Sequence, residues 1–206
     1  MASPMIALID YKAGNLTSVR KALAAIEAEV FTPATPDALA DAMGIIVPGV
    51  GHFGATRALD RRWIEAILAR VSDGRPLLGI CLGMQWLYEG SEEAPELPGL
   101  GLLSGSCRRL RPAGEDGRIK VPHVGWNSLT RTGEGSIVEG VPEGAQVYFT
   151  HSYVAPVTTH TVAATDHGEV FASIVQRGHV AGVQFHPEKS GDFGLTILCN
   201  FRRMVG

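Results

Sequence analysis

Short, unbroken apolar runs that stop at a glycine or a polar residue constrain this chain more than any other feature. Met5-Ile6-Ala7-Leu8-Ile9 stops at Asp10, and Ile45-Ile46-Val47 runs into Pro48-Gly49-Val50-Gly51. Pro76-Leu77-Leu78-Gly79-Ile80 stops at Cys81. Helical stretches lie between them. Asn15 is a candidate N-cap, and Leu16, Val19, Leu23 and Ile26 recur at near-helical spacing over 16–28. A short strand at 30–32 follows. A second helix is expected over 55–70, with Leu59, Trp63 and Ile67 on one face. Strands without polar alternation are buried on both faces, so strands alternating with helices predict a parallel sheet covered on both sides. Ligands of such sheets bind beyond the carboxyl ends of the strands, which singles out the loops at 10–15, 48–53 and 79–85.

The texture changes after residue 90. A polar, proline-bearing loop over 91–98 leads to shorter strand-like segments at 102–110, 119–121, 145–150, 160–165, 170–176 and 179–185. Turn residues separate them, notably at 113–117, and this half is expected to be β-rich and partly antiparallel. A closing helix over 195–204 turns Leu198 and Phe201 inward. The expectation is one α/β domain spanning 1–206. The 206 residues suffice for one substantial core, and 45% apolar with 19% charged residues is ordinary globular composition. A formal net charge of −3 gives no electrostatic reason to expect nucleic acid or an anionic membrane as partner. No apolar run approaches the roughly 18 residues of a membrane span. Met1-Ala2-Ser3-Pro4 lacks the basic start and apolar core of a signal peptide, and Ala2 and Ser3 are given no fold role. The three cysteines, Cys81, Cys107 and Cys199, are widely spaced and suggest neither a disulfide framework nor a metal site. A reducing, cytoplasmic setting suits all three, with Cys107 and Cys199 in core or incidental positions.

Cys81 stands apart. Gly79-Ile80-Cys81-Leu82-Gly83 is the sulfur version of the G-x-S-x-G nucleophile elbow, a strand, a sharp turn and a helix. The flanking glycines let the turn close without side-chain clash, and the helix start behind the sulfur favours thiolate over thiol. A buried structural cysteine between two packing glycines is the plain alternative. A nucleophile needs a base, and the base needs an orienting acid. Of the seven histidines, His160, His167 and His179 sit in turn-like, surface contexts; His52 follows Gly51 with no acid in its loop; His123 and His151 lie at strand edges. His186 ends the apolar run Val180-Ala181-Gly182-Val183-Gln184-Phe185, Pro187 keeps the chain extended, and Glu188 lies within reach of the imidazole. Leu82 offers a backbone N–H directly after the nucleophile, and the Pro48–Gly51 loop can supply a second donor to an oxyanion. Gly49-Val50-Gly51-His52-Phe53-Gly54 also matches G-x-G-x-x-G. It follows a later strand and has no acidic partner at a strand end about 20 residues on, so dinucleotide binding is discounted.

These residues resemble the three signatures of the class I glutamine amidotransferases: Pro48-Gly49-Val50-Gly51, Gly79-Ile80-Cys81-Leu82-Gly83-Met84-Gln85 and Val183-Gln184-Phe185-His186-Pro187-Glu188. Within that family the chain is similar to the glutaminase subunits of imidazole glycerol phosphate synthase. Lys120-Val121-Pro122-His123-Val124-Gly125-Trp126-Asn127, Tyr148-Phe149-Thr150-His151-Ser152-Tyr153 and His186-Pro187-Glu188-Lys189-Ser190-Gly191 carry this narrower likeness. It implies a flavodoxin-like three-layer fold with a largely parallel central sheet flanked by helices. It implies glutamine as substrate, no cofactor and no metal. The partner it implies is a (βα)8-barrel cyclase subunit that receives ammonia through a tunnel. Cys81, His186 and Glu188 would form the triad. Gly49, Val50, Gly51 and Leu82 would shape the oxyanion site, while Gln85, Ser152 and Tyr153 would hold the α-amino and carboxylate groups of glutamine. Asn15, His123, Trp126 and Lys189 would face the partner or the ammonia route. Many relatives carry glycine where this chain has Lys12, which sets the first loop apart. A glutaminase of another pathway, such as pyridoxal phosphate synthesis, and a non-catalytic module on the same fold are the competing readings.

Overall fold

The computed structural model describes residues 5–111 and 119–206. In chain order the elements are β1 (Ile6–Leu8), α1 (Leu16–Ala25), β2 (Val30–Phe31), β3 (Gly44–Val47), α2 (Arg61–Ser72), β4 (Leu77–Ile80), α3 (Leu82–Trp86), β5 (Gly90–Ser91), β6 (Ser106–Arg109), β7 (His123–Ser128), β8 (Thr130–Arg131), β9 (Gln146–His151), β10 (Tyr153–Val154), β11 (Thr161–Asp166), β12 (Val170–Arg177), β13 (Val180–Val183) and α4 (Gly191–Val205).

Eight strands form one sheet in the order β2-β1-β3-β4-β13-β12-β11-β8. Neighbours from β2 to β13 are parallel, and β12, β11 and β8 join antiparallel. Part of the β-rich second half therefore extends the sheet of the first half, while β10-β6-β5 and β7-β9 form two smaller sheets. Because β3, β4 and β13 are parallel neighbours, their carboxyl ends share one edge. The Pro48–Gly51 loop, Cys81 and His186 follow those three ends, so topology alone gathers residues distant in sequence.

Successive side chains of a strand point to opposite faces, and two cores result. Ile6, Leu8, Ile46 and Leu78 pack with Val19 and Leu23 of α1 and with Ile197 and Phe201 of α4. Ala7, Ile9, Ile45, Val47 and Leu77 pack with Ile67 and Val71 of α2 and Met84 of α3. The central strands are buried throughout, which is why they read as unbroken apolar runs.

The structure moves several expected boundaries. The helix expected over 55–70 divides: Phe53–Ala58 is a 3-10 turn, and α2 begins at Arg61 because the Asp60 carboxylate caps it, accepting the Trp63 N–H at 3.1 Å. The strand expected at 119–121 lies instead at β7. Pro122 has no N–H to offer a ladder, and pairing with β9 begins at His123. Only Ser106–Arg109 of 102–110 and Val180–Val183 of 179–185 are strand, while α4 starts earlier, at Gly191. The turn expected at 113–117 lies outside the described residues. Among the described residues no helix is long and apolar enough to cross a membrane.

Candidate active site

Cys81 has φ 54° and ψ −107°, a left-handed conformation that only glycine adopts without cost. The chain holds it there from both sides. The Cys81 N–H donates to the Val183 carbonyl at 2.7 Å, and the Cys81 carbonyl accepts the Gln85 N–H at 3.1 Å. The positive φ thus falls on the cysteine itself rather than on the flanking glycines. Gly83 is needed for close approach instead, since a Cβ there would run into the Val47 carbonyl of the neighbouring strand. α3 starts immediately behind the sulfur.

His186 and Glu188 meet as the spacing predicts. Nδ1 of His186 lies 2.8 Å from Oε1 of Glu188, and both side chains are only 2% exposed. Burial disfavours the charged ring, but the Cys81 sulfur and the Glu188 carboxylate together outweigh it and push the His186 pKa up to about 9. Nε2 of His186 carries no hydrogen bond; it is the nitrogen left for proton transfer once Nδ1 is committed to Glu188. The His186 loop is anchored by Ser190, which lies within the His186–Gly191 motif but was given no role of its own. Ser190 Oγ donates to the His186 carbonyl at 2.6 Å and accepts the Tyr148 N–H at 2.9 Å.

Cys81 opens onto a cavity of about 280 Å³, lined also by Gly51, Leu82, Gln85, Ser152 and Tyr153. At about 30 Å³ per water this is space for roughly nine waters, the size of a free amino acid. All five of those residues were expected at the site. Glu93, Thr150, Pro122 and His151 line it too and were not; Glu93 sits in a polar loop whose pattern gives no hint of the cavity. The Gln85 NH₂ is committed, with Nε2 donating to the Tyr153 carbonyl at 2.9 Å and to Gln184 Oε1 at 3.1 Å, so its carbonyl oxygen is the atom left for a ligand.

Two backbone N–H groups of the expected oxyanion site are occupied. The Leu82 N–H donates to the Gly49 carbonyl at 3.3 Å, and the Val50 N–H to the Ala13 carbonyl at 3.2 Å. Gly49 itself is pinned, because a side chain there would strike the buried Tyr11 hydroxyl.

The four residues expected toward a partner separate. Asn15 is exposed and caps α1, its Oδ1 accepting the Ser18 N–H. Trp126 is 57% exposed on β7, and Lys189 Nζ lies 5.7 Å from the Tyr148 ring centroid. His123, on the opposite face of β7, is buried, so it does not share that surface. It lies directly across from His151 in the β7–β9 ladder, with Nδ1 3.1 Å from His151 Nε2. Three histidines read as surface residues are also tied down or half-covered. His167 stacks on His123 with centroids 3.9 Å apart, His179 Nε2 donates to the Val71 carbonyl at 2.8 Å, and His160 is half-buried. His52 caps the 3-10 turn after it through Gly54 N–H. Cys107 is fully buried and its pKa is pushed far up by that burial, while Cys199 is half-buried at the C-terminal helix.

Comparison with known proteins agrees with this geometry. The family model described as glutamine amidotransferase class-I matches residues 7–204. "Imidazole glycerol phosphate synthase subunit HisH" of Thermococcus kodakarensis is 45% identical over 206 residues, covering 97% of this chain and 100% of the relative. The protein of the same name from Xanthomonas oryzae pv. oryzae is 46% identical over 200 residues, covering 97% of each. A crystal structure of a glutamine amidotransferase superposes with a TM-score of 0.74 at 20% identity, covering 97% of this chain and 98% of the other, which supports the fold. The chain therefore belongs to the class I glutamine amidotransferases and, among them, to the family of imidazole glycerol phosphate synthase subunit HisH.

Proposed function

We propose that this chain is the glutaminase subunit of an imidazole glycerol phosphate synthase of histidine biosynthesis, hydrolysing glutamine to glutamate and ammonia. The observation that carries this is the His186–Glu188 pair, buried and favouring the imidazolium beside Cys81 at a strained elbow that opens onto an amino-acid-sized cavity.

The Cys81 thiolate attacks the carboxamide carbon of glutamine. His186 Nε2–H gives its proton to the departing nitrogen, so the C–N bond breaks with loss of ammonia and a glutamyl thioester remains. His186, now neutral, takes a proton from water as the water attacks the thioester. The C–S bond breaks, and glutamate leaves with the imidazolium–thiolate pair restored. Glu188 holds Nδ1 throughout. Gln85, Ser152 and Tyr153 hold the amino-acid end of glutamine, and Glu93, the one carboxylate that lines the cavity among the described residues, suits its α-ammonium group. Nucleophile, acid and base all come from this chain, so no cofactor is required.

The oxyanion needs the Leu82 N–H, aided by Gly51. With Leu82 bonded to the Gly49 carbonyl, the isolated chain is expected to turn over slowly until that carbonyl is displaced. The partner is a (βα)8-barrel cyclase subunit that takes the ammonia through a tunnel and makes imidazole glycerol phosphate and aminoimidazole carboxamide ribonucleotide. Exposed Trp126, Lys189 and Asn15 are the docking candidates, and buried His123 belongs to the interior face of β7, opposite Trp126. The test is glutamate release with and without the barrel subunit and its nucleotide. The proposal expects low activity alone and a strong rise in the complex. It also expects Cys81→Ala to lose at least ~10³-fold while ammonium-dependent synthesis continues. Full activity in the isolated chain would refute the coupling, and glutamate release by Cys81→Ala would refute the nucleophile.

A further inference from the structure

Gln184 is a polar side chain with no exposure at all, inside an otherwise apolar strand end. The reaction described above gives it no role. Its Nε2 lies 3.6 Å from Cys81 Sγ, and its Oε1 lies 3.1 Å from Gln85 Nε2. Oxygen and nitrogen of an amide look alike, so their placement has to follow from the network. The Tyr153 carbonyl only accepts, and it sits 2.9 Å from the Gln85 amide, which must therefore turn its NH₂ that way. The Gln184 atom facing that same NH₂ must then be its oxygen. This leaves the Gln184 NH₂ on the sulfur, an orientation fixed by the Tyr153 carbonyl and the Gln85 amide rather than chosen by the sulfur.

The consequence depends on the protonation state of the sulfur. A neutral thiol can donate to the Thr150 carbonyl, 3.9 Å away. A thiolate can only accept, and then the Gln184 N–H is a preset donor. Hydrogen bonds to a charged partner are about twice as strong as neutral ones.

We propose that Gln184 is a positioning residue for the nucleophile. Its amide holds Cys81 Sγ as the thiolate and ties that position, through Gln85, to the Tyr153 wall of the cavity. The effect on turnover rests on the glutaminase reading above; the effect on the sulfur does not.

The test is the rate of Cys81 alkylation by iodoacetamide against pH in the full chain, for wild type, Gln184→Met and Gln184→Glu. Met keeps the volume and removes the donor; Glu keeps an acceptor for Gln85 and replaces the donor with an acid. Thermal unfolding reports whether each variant is folded. The expected result is an alkylation midpoint raised by about one pH unit or more, with kcat/KM for glutamine in the complex down about tenfold or more. A midpoint unchanged in a folded variant overturns the proposal. In wild type, which needs no variant to fold, the side-chain amide protons of Gln184 should titrate in NMR at the same midpoint as Cys81 alkylation; protons indifferent to that midpoint also overturn it. Loss of glutamine turnover in wild type would refute the glutaminase reading while leaving the alkylation and NMR results to decide on Gln184.

Discussion

Two sets of buried imidazoles stand near one cavity and behave in opposite ways. Burial lowers the basicity of all three rings. At His186 the neighbouring sulfur and the Glu188 carboxylate overturn that effect and the pKa rises to about 9. Among the described residues no carboxylate raises His123 or His151. Burial, helped by the positive potential of His167 at His123 and of His123 at His151, takes them down to about 4 and about 3. Their hydrogen bonds fit neutral rings: Asn127 Nδ2 donates to His123 Nε2 at 3.3 Å, His123 Nδ1 to His151 Nε2, and His151 Nδ1 to the Tyr153 carbonyl at 3.0 Å. A sulfur and a carboxylate within reach of one ring thus separate a histidine that can carry a proton from a pair that serves as neutral scaffolding for the cavity wall.

The largest effect is expected from removing that carboxylate. Glu188→Gln should leave only the Cys81 sulfur to oppose burial at His186 and lower glutaminase kcat/KM by about 10³- to 10⁴-fold; a loss under tenfold would mean that the acid does not set the base. Next comes the pH profile. Wild-type kcat/KM for glutamine should fall on an alkaline limb near pH 9 as His186 loses its proton, and the residual activity of Glu188→Gln should show that limb at lower pH. An unmoved limb would assign it to another group.

Stability should show the same contrast with opposite signs. His186 binds its proton more tightly folded than unfolded, so its contribution is full below about pH 6.5 and is lost as pH rises through about 9. His123 and His151 are protonated more readily when unfolded. The fold therefore weakens as pH falls from about 6.5 toward about 4. His151→Asn should flatten that acid decline in Tm by about 5 °C between pH 7 and pH 4; an equal slope in the variant would locate the acid sensitivity elsewhere. The smallest effect concerns the first loop. Lys12 has φ 64° and only an exposed pair with Asp10, so Lys12→Gly should leave glutaminase unchanged and shift stability by no more than about 1 kcal/mol, read by urea unfolding.

The parallel core and the placing of Cys81, His186 and Glu188 together were legible because their signals are local: unbroken apolar runs, an elbow, and an acid at fixed spacing from a histidine. What escaped depends on register or on backbone state. The His123–His151 bond exists because β7 and β9 pair those two residues directly opposite, and neither strand's own sequence states that register. The β7 position itself was misplaced because Pro122 delays the ladder. Gln184 lay within a recognised motif, but an apolar strand pattern hides one polar side chain until its neighbours are known. The Leu82 N–H was expected as a free donor next to Cys81; that the Gly49 carbonyl occupies it is a matter of a single peptide's orientation. The division of the 55–70 helix followed from Asp60, a cap that the sequence does display.

The most direct test of the central claim is to treat the chain, with its barrel partner present, with a glutamine-shaped chloroketone and map the adduct by peptide mass spectrometry. The account predicts a single thioether on Cys81, formed far more slowly in Glu188→Gln, with Cys107 and Cys199 unmodified. No adduct on Cys81, or equal labelling of Cys199, would contradict it.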